Sequence, residues 1–278
     1  MQLLNRNKII SSRFLYIPLL TIILSCCSIS KYAATNKIYK QQVKAFAKTI
    51  RQYPLQDTFV TSTSWVGTTN FGMRKPNFVI IHHTAQNTCE QTLQTFTLKR
   101  TQVSAHYVIC RDGTVNHMLN DYLRAWHAGN SKWGNDTDIN SSSIGIELDN
   151  NGFEPFSDAQ INSLLRLLAF LKKSYFIPTA NFIGHADIAP TRKNDPNVTF
   201  PWKKLATNGF GFWYDDTAKM VSPAPFDHLN ALRIIGYDTR DSIAAIRTFK
   251  RHFEQMDSSR VFDVNDYKIL YNLAGKYR

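Results

Sequence analysis

Residues 77–83 read Asn-Phe-Val-Ile-Ile-His-His, and this short stretch decides the fold prediction. The four contiguous apolar residues, Phe78 to Ile81, are typical of a buried β-strand. Two histidines follow the apolar run directly. One of them is therefore expected at the edge of a sheet, beside the core.

The segments on either side of this strand alternate between strand and helix patterns. Two capping boxes, Thr88 with Gln91 and Ser157 with Gln160, each predict the start of a helix. Alternating strands and capped helices predict an α/β domain with a mixed central β-sheet flanked by helices. The further predicted segments are a helix to about residue 100, strands at 106–110 and 143–148, and a turn at 111–113.

The C-terminal part differs in pattern. Pro223 and Pro225 mark a linker, and three short helical patterns follow, which predict a small all-α three-helix domain. The predicted organisation is a signal peptide at 1–26, a tether and N-terminal lead-in at 27–60, the α/β domain at 61–215, a linker at 216–225 and the helical domain at 226–278.

The N-terminal segment has the features of an export signal. Residues 1–13 carry three basic residues and no acidic one, and the apolar run at 14–24 is shorter than the ~20 residues that span a bilayer. The run ends in Leu-Ser-Cys-Cys, which resembles the lipobox of bacterial lipoproteins. That resemblance implies lipidation at Cys26, with Cys27 as the alternative, and sorting to the outer membrane. An ordinary export signal or an uncleaved anchor would show a similar pattern.

The net charge of the chain indicates which classes of binding partner are compatible with it. The 278-residue chain has a formal net charge of +12, which falls to +9 without residues 1–26. A basic excess suits nucleic acid, but the lysines and arginines are scattered and export argues against that partner. An anionic polymer outside the cytoplasm fits better. Cys89 and Cys110 could pair in an oxidising compartment, yet two unpaired, partly buried thiols are the favoured prediction.

Three residues that are distant in sequence have the chemistry of a metal site. His82 follows the first strand, His185 follows the apolar pair 182–183, and Asp195 comes ten residues later. Two imidazoles and a carboxylate, with one coordination position open, suit a hydrolytic zinc. Their spacing alone does not identify such a site, because similar triplets occur in many proteins. No HExxH helix, CxxC pair or GxSxG elbow competes for the role.

Five ordered blocks resemble a known family, the zinc N-acetylmuramoyl-L-alanine amidases of the type-2 amidase fold. The resemblance covers residues 77–202. The blocks are VIIHHTA at 79–85, SAHY at 104–107 with RDG at 111–113, AWHAG at 125–129, SIGIEL at 143–148, and GHADIAP at 184–190 with RKNDP at 192–196 and FPW at 200–202.

This resemblance assigns roles to individual residues. It implies that His82, His185 and Asp195 bind Zn²⁺, which would activate water and polarise the target carbonyl. It implies that Glu147 is the general base and that Lys193 stabilises the oxyanion. Without the resemblance, Glu147 would be interpreted as a solvent-facing strand residue and Lys193 as an ordinary loop cation.

Other matching residues are expected around the pocket. Trp126 is expected to form a flat wall for substrate, with core packing as its alternative, and Arg192 and Arg111 to hold a substrate carboxylate. His106 and His127 are interpreted as structural histidines. Two residues depart from the family pattern: Ala186 replaces a usual serine and Thr191 a common glycine. Neither removes a ligand, so they are expected to affect loop detail or substrate preference more than activity.

The resemblance implies an exported lipoprotein that hydrolyses the amide bond between the lactyl group of N-acetylmuramic acid and L-alanine. Its partners would be peptidoglycan or muropeptides and, through a lipid anchor, the outer membrane facing the periplasm; we expect a monomer. The C-terminal segment resembles a three-helix peptidoglycan-binding domain, for which a purely packing role is the alternative. Rival functions are a non-catalytic peptidoglycan-recognition protein and a structural wall anchor.

Overall fold

The structure, a computed structural model, describes residues 31–51, 68–255 and 259–278. The chain divides into two compact units, Met1–Val66 and Gly67–Arg278. The described part of the first unit is one helix, α1 (Ala33–Ile50). The predicted signal peptide and its Cys26 lie outside the described residues and stay predictions. Among the described helices, none has the length and apolar character needed to cross a bilayer.

The second unit combines five strands with the remaining described α-helices. The strands are β1 (Phe78–His83), β2 (Tyr107–Ile109), β3 (Val115–His117), β4 (Ser143–Leu148) and β5 (Phe182–Gly184). The helices are α2 (Cys89–Thr97), α3 (Ile139–Ser142), α4 (Asp158–Tyr175), α5 (His185–Ile188), α6 (Trp202–Thr207), α7 (His228–Ile235), α8 (Ser242–Phe253) and α9 (Val264–Lys276).

The strands form one mixed sheet in the order β3-β2-β4-β1-β5, which confirms the predicted fold class. Strand β1 runs parallel to both β4 and β5, and β2 is parallel to β4 but antiparallel to β3. His82 pairs in register with Glu147, and Ile81 pairs with Gly184, the residue before His185. The carboxyl ends of these parallel strands therefore meet at one edge, where ligand sites of α/β sheets usually lie.

Each face of the sheet is covered by a separate apolar cluster. Val79 and Ile81 point to the face that packs against Leu164 and Leu168 of α4. Ile80, between them in sequence, belongs to the other cluster, which it shares with the C-terminal helices α7 to α9. The alternation follows from the two-residue period of a strand. The linker predicted at 216–225 contains neither helix nor strand.

The capping boxes locate two helix starts well. The Thr88 hydroxyl accepts a hydrogen bond from the backbone N–H of Gln91 at 3.1 Å, and Ser157 does the same for Gln160 at 3.1 Å. The boundaries differ elsewhere. Helix α2 ends at Thr97 and a short 3-10 turn follows, rather than a helix to residue 100. Strand β3 and helix α1 were not predicted, since β3 has only three residues and α1 lies in a segment interpreted as a tether.

The prediction of unpaired thiols was wrong. Cys89 and Cys110 form a disulfide, with their Cα atoms 5.3 Å apart. Cys89 is the first residue of α2, and Cys110 directly follows β2. Because α2 lies beside β2, the start of the helix is close to the end of the strand. The bridge joins residues 21 positions apart, so it restricts the unfolded chain.

Removing this disulfide is expected to lower the free energy of unfolding by about 3 kcal/mol, because a loop of this length loses that much closure entropy on cross-linking. Urea unfolding of the Cys89→Ala/Cys110→Ala variant, compared with the oxidised protein, measures the change. The wild-type protein under reducing conditions serves as the control and should match the variant. Equal unfolding midpoints for the oxidised protein and the variant would contradict the prediction.

Candidate active site

Three buried side chains converge at the carboxyl edge of the sheet. His82 lies near the end of β1, His185 begins α5 directly after β5, and Asp195 lies in the loop that follows. The Nδ1 atoms of His82 and His185 are 2.9 Å apart, and they lie 3.1 Å and 3.0 Å from Oδ2 of Asp195. Within the described parts of the chain, this is the group whose donor atoms lie close enough to share a metal ion.

The geometry and chemistry of this group fit zinc. Tetrahedral zinc with ligand bonds of about 2.0–2.1 Å places its ligand atoms roughly 3.3 Å apart. The observed separations of 2.9 to 3.1 Å approach that value. Two imidazoles and one carboxylate also leave a fourth position for water or substrate, as in hydrolytic sites.

Hydrogen bonds on the far side of each ring leave the Nδ1 atoms of both histidines available for a metal. Nε2 of His185 lies 3.2 Å from the carbonyl oxygen of Ala128, to which it must donate. Nε2 of His82 lies 3.1 Å from Nδ1 of His127. Because a carbonyl can only accept, the His185 proton is on Nε2 and the Nδ1 lone pair is free for coordination. Such outer partners orient metal-ligating histidines.

His127 extends the hydrogen-bond chain behind His82. Its Nε2 lies 3.2 Å from the Ser143 hydroxyl, which in turn donates to the Ile139 carbonyl. If Nε2 of His127 donates to that hydroxyl, its Nδ1 accepts the proton of His82. The His127 ring packs over Gly145, where a Cβ atom would lie 2.4 Å from the ring. The glycine of the SIGIEL block therefore makes room for this histidine.

The electrostatics favour the protonation states that a metal requires. Burial lowers the pKa of His82 to about 4, and the neighbouring His185 adds to the effect. Burial opposes ionisation of Asp195, but His185 and His82 together hold the pKa of its carboxyl well below the usual value. At neutral pH, His82 is therefore neutral and Asp195 is ionised, as metal ligands must be.

Glu147 lies next to this group on β4, paired in register with His82. Burial and, to a smaller extent, the Asp195 carboxylate raise the pKa of Glu147 to about 8, although Lys193 opposes the shift. Its Oε2 atom is buried and has no hydrogen-bond partner among the described residues. A carboxyl group with a pKa near neutrality and a vacant oxygen is suited to exchange protons with a reactant.

The chain is similar to proteins of known activity. The family model described as N-acetylmuramoyl-L-alanine amidase matches residues 72–198. The N-acetylmuramoyl-L-alanine amidase AmiD of Escherichia coli is 34% identical over 230 residues, which is 72% of this chain and 82% of AmiD. The chain belongs to the N-acetylmuramoyl-L-alanine amidase family. The 1,6-anhydro-N-acetylmuramyl-L-alanine amidase AmpD of Haemophilus influenzae is 42% identical over 108 residues, 38% of this chain and 59% of AmpD.

Solved structures of amidases share the fold. E. coli AmiD, in a complex with anhydro-N-acetylmuramic acid-L-Ala-D-gamma-Glu-L-Lys, superposes with a TM-score of 0.66 at 31% identity, over 76% of this chain and 93% of AmiD. AMPDH3 from Pseudomonas aeruginosa gives a TM-score of 0.66 at 29% identity, over 81% of this chain and 99% of its own. The likeness therefore extends over most of this amidase, well past residues 72–198.

The remaining histidines near the amidase site have structural partners. Nδ1 of His106 accepts from the backbone N–H of Gly145 at 3.1 Å, and its Nε2 donates to the Leu123 carbonyl at 3.0 Å. Nδ1 of His83 accepts from the backbone N–H of Asn197 at 3.1 Å. Neither belongs to the group of three converging side chains.

The three residues expected to bind substrate have different surroundings in the structure. Trp126 is 50% exposed, so its alternative role in core packing does not hold. The Arg192 guanidinium donates to the carbonyls of Ala128 and Asn130 at 2.8 and 2.7 Å. Arg111 pairs with Glu154 and lies 3.3 Å from Asp149. Both arginines would have to exchange these partners to bind a substrate carboxylate, and their substrate roles stay predictions.

Contacts from the C-terminal helices to the metal-site loops were missed by the sequence analysis. Asp187, two residues after His185, accepts from the Gly184 N–H, from Nδ1 of His252 and from the Tyr237 hydroxyl, each at 2.8 Å. Arg251 donates to the carbonyl of Asn194 at 2.9 Å. His252 and Arg251 both lie on α8. The aspartate in the GHADIAP block was visible in the sequence, but its partners 50 and 65 residues away were not.

Proposed function

We propose that this family member is a zinc-dependent amidase that hydrolyses the amide bond between the lactyl group of N-acetylmuramic acid and L-alanine in peptidoglycan or its fragments. The convergence of His82, His185 and Asp195 beside Glu147, whose Oε2 has no hydrogen-bond partner among the described residues, carries the proposal. The relative AmiD, solved with an anhydromuramoyl peptide, supports this substrate class. The context would be cell-wall turnover.

Different residues of the chain have different roles in amide hydrolysis. His82, His185 and Asp195 would hold a zinc ion, which when bound supplies Lewis-acid polarisation of the carbonyl and a lowered pKa of water. Glu147 takes the proton of the attacking water and later delivers it to the leaving amine of L-alanine. The ammonium of Lys193 stabilises the negative charge that forms on the carbonyl oxygen. The charge of Lys193 lowers the pKa of the neighbouring Glu147, which supports this role.

The proposed cellular place is the periplasmic face of the outer membrane, with the chain monomeric and lipidated at Cys26. The lipobox-like ending of the apolar run supports this proposal. Labelling with a radioactive fatty acid tests it: the label should be incorporated by the wild-type chain and lost in Cys26→Ser. If Cys27→Ser alone abolishes labelling, the modified residue is the second cysteine.

Metal removal is expected to abolish release of L-alanine amino termini from a defined muropeptide, because the carbonyl loses its polarisation and the water its acidity. Mass spectrometry of the digest, before and after dialysis against a chelator, measures the effect. Adding back zinc should restore the rate, and mock-dialysed protein is the control.

Two other outcomes would favour a different mechanism or a different function. Hydrolysis that persists in metal-free protein would contradict the zinc mechanism. Muropeptide binding without any hydrolysis at saturating zinc would instead favour the non-catalytic recognition protein.

A further inference from the structure

Helix α1 has an unusual charge composition. Residues 31–51 contain six basic residues and no acidic residue. The helix is 18 residues long and none of its residues is buried. It carries no residue of the proposed active site, so its composition has no explanation in the hydrolase chemistry.

The basic residues of α1 occupy one side of the helix. At 3.6 residues per turn, successive residues are rotated by about 100°, and five of the basic residues then fall within an arc of about 80°. This basic arc consists of Lys37, Lys40, Lys44, Lys48 and Arg51.

The large apolar and aromatic residues occupy the opposite side, within about 140° of arc. Three of them are strongly exposed: Ile38 at 56%, Phe46 at 53% and Ile50 at 79%. This apolar arc consists of Ile38, Tyr39, Val43, Phe46 and Ile50. A helix that separates lysines from aliphatic and aromatic residues in this way has the pattern of an interfacial membrane helix.

We propose that α1 lies flat on an anionic phospholipid surface, with the apolar arc in the boundary between headgroups and acyl chains and the basic arc against the phosphates. Charge complementarity selects this partner. Anionic lipid surfaces attract polybasic segments, and each lysine or arginine near the surface adds to the attraction. A nucleic acid or the glycan of the cell wall would match the basic arc but offers no apolar layer for Phe46 and Ile50.

The position of α1 in the chain agrees with this partner. The helix begins at Ala33, seven residues after Cys26 and nine after the apolar run that ends at residue 24. Seven extended residues span at most about 25 Å. Any membrane attachment through the N-terminal segment would therefore hold α1 close to the bilayer. This membrane-binding role of α1 is additional to the proposed hydrolase activity. It would give the protein a second, reversible contact with the membrane.

Hydrogen exchange of the full chain on lipid vesicles tests the proposal. An isolated helix of this length is marginal in water, so the backbone amides of residues 33–50 should exchange quickly without a surface. On vesicles containing phosphatidylglycerol, we expect exchange of these amides to slow at least 10-fold. On pure phosphatidylcholine, or in 0.5 M salt, where the Debye length falls to about 4 Å, the protection should be lost.

Three variants identify the source of the protection. Substituting Lys37, Lys40, Lys44 and Lys48 by glutamine should abolish protection, since glutamine keeps helix propensity but removes the charge. Phe46→Ser with Ile50→Ser should also abolish it. The matched control replaces four exposed lysines of the second unit by glutamine, and it should keep full protection; these are Lys99, Lys173, Lys203 and Lys204.

Several results would overturn the proposal. Protection that survives the four lysine substitutions, or that is equal on neutral vesicles, excludes an electrostatic membrane contact. Protection on isolated cell-wall sacculi but not on vesicles identifies the wall as the partner. Protection without any surface means that α1 packs on its own protein. All variants should hydrolyse soluble muropeptides at the wild-type rate, so failure of this proposal is distinguishable from failure of the proposed function.

Discussion

Replacing Glu147 by glutamine is expected to lower kcat on a soluble muropeptide by about 10²- to 10⁴-fold, the usual contribution of a general acid–base group. Glutamine keeps the shape of the side chain but can neither take a proton from water nor deliver one to the leaving amine. Glu147 pairs in register with His82 but is not one of the three converging donors. Zinc binding should therefore stay close to the wild-type level.

Two measurements separate loss of chemistry from loss of the site. Isothermal titration of the metal-free protein with zinc should give matching affinities for the wild type and Glu147→Gln, while His185→Ala should lose binding. The acid limb of the pH–kcat/KM profile should also vanish in Glu147→Gln. Burial raises the pKa of Glu147, so its base form, and with it the rate, increases as pH rises through that pKa. A variant with near wild-type kcat would show that the base is another group.

The sequence predicted the centre of the fold because its signals are local. The apolar run before His82 identifies β1 without any knowledge of its neighbours. The hydroxyls of Thr88 and Ser157 accept hydrogen bonds from backbone N–H groups only three residues away. The metal-ligand set could not be predicted from local signals. Only the resemblance of the ordered sequence blocks to the amidase family assigned His185 and Asp195 as ligands. Their spacing carries no information about which strands are adjacent, and adjacency is what brings them to His82.

Features that depend on non-local packing escaped prediction. Cys89 and Cys110 are 21 residues apart, and only the placement of α2 beside β2 brings their Cα atoms within 5.3 Å. Arg192 is predicted to hold a substrate carboxylate, but the hydrogen bonds from its guanidinium to the carbonyls of Ala128 and Asn130 were not visible in the sequence. Both features depend on the position of a backbone segment that is distant in sequence. Neither periodicity nor motif spacing reveals that position.

Deleting the residues after Pro225 is expected to reduce hydrolysis of soluble muropeptides by at least about 100-fold. A separable wall-binding module would predict the opposite, with activity retained. The apolar cluster on one face of the sheet joins Ile80 and Ile183 to Leu232 and Phe249 of the C-terminal helices. Exposing four isoleucines of this cluster, Ile80, Ile139, Ile183 and Ile188, would cost about 6–12 kcal/mol at 1.5–3 kcal/mol each. That cost is comparable to the whole stability of a domain.

Point substitutions test the same dependence without removing the core. Tyr237→Phe with His252→Phe removes the two hydrogen bonds that these residues donate to Asp187, two positions after His185. Losing outer partners of this kind lowers metal affinity by about 10- to 100-fold. Zinc titration of the metal-free protein measures the change, and the visible spectrum of the cobalt-substituted protein reports whether the ligand geometry has shifted. Arg240→Ala, on the exposed surface of the same helical region, is the matched control and should leave affinity and spectrum unchanged.

The two experiments together decide what the C-terminal helices do. If the shortened chain stays folded by circular dichroism and keeps its rate, the helices form an independent module and the contacts to Asp187 are incidental. If the shortened chain unfolds but the double variant binds zinc normally, the helices serve only to cover the sheet. Weaker zinc binding in a folded double variant would show that α8 also holds the loop that carries His185. We expect this last result, because His252 and Tyr237 bind both oxygens of the carboxylate that anchors the Gly184 N–H at the start of that loop.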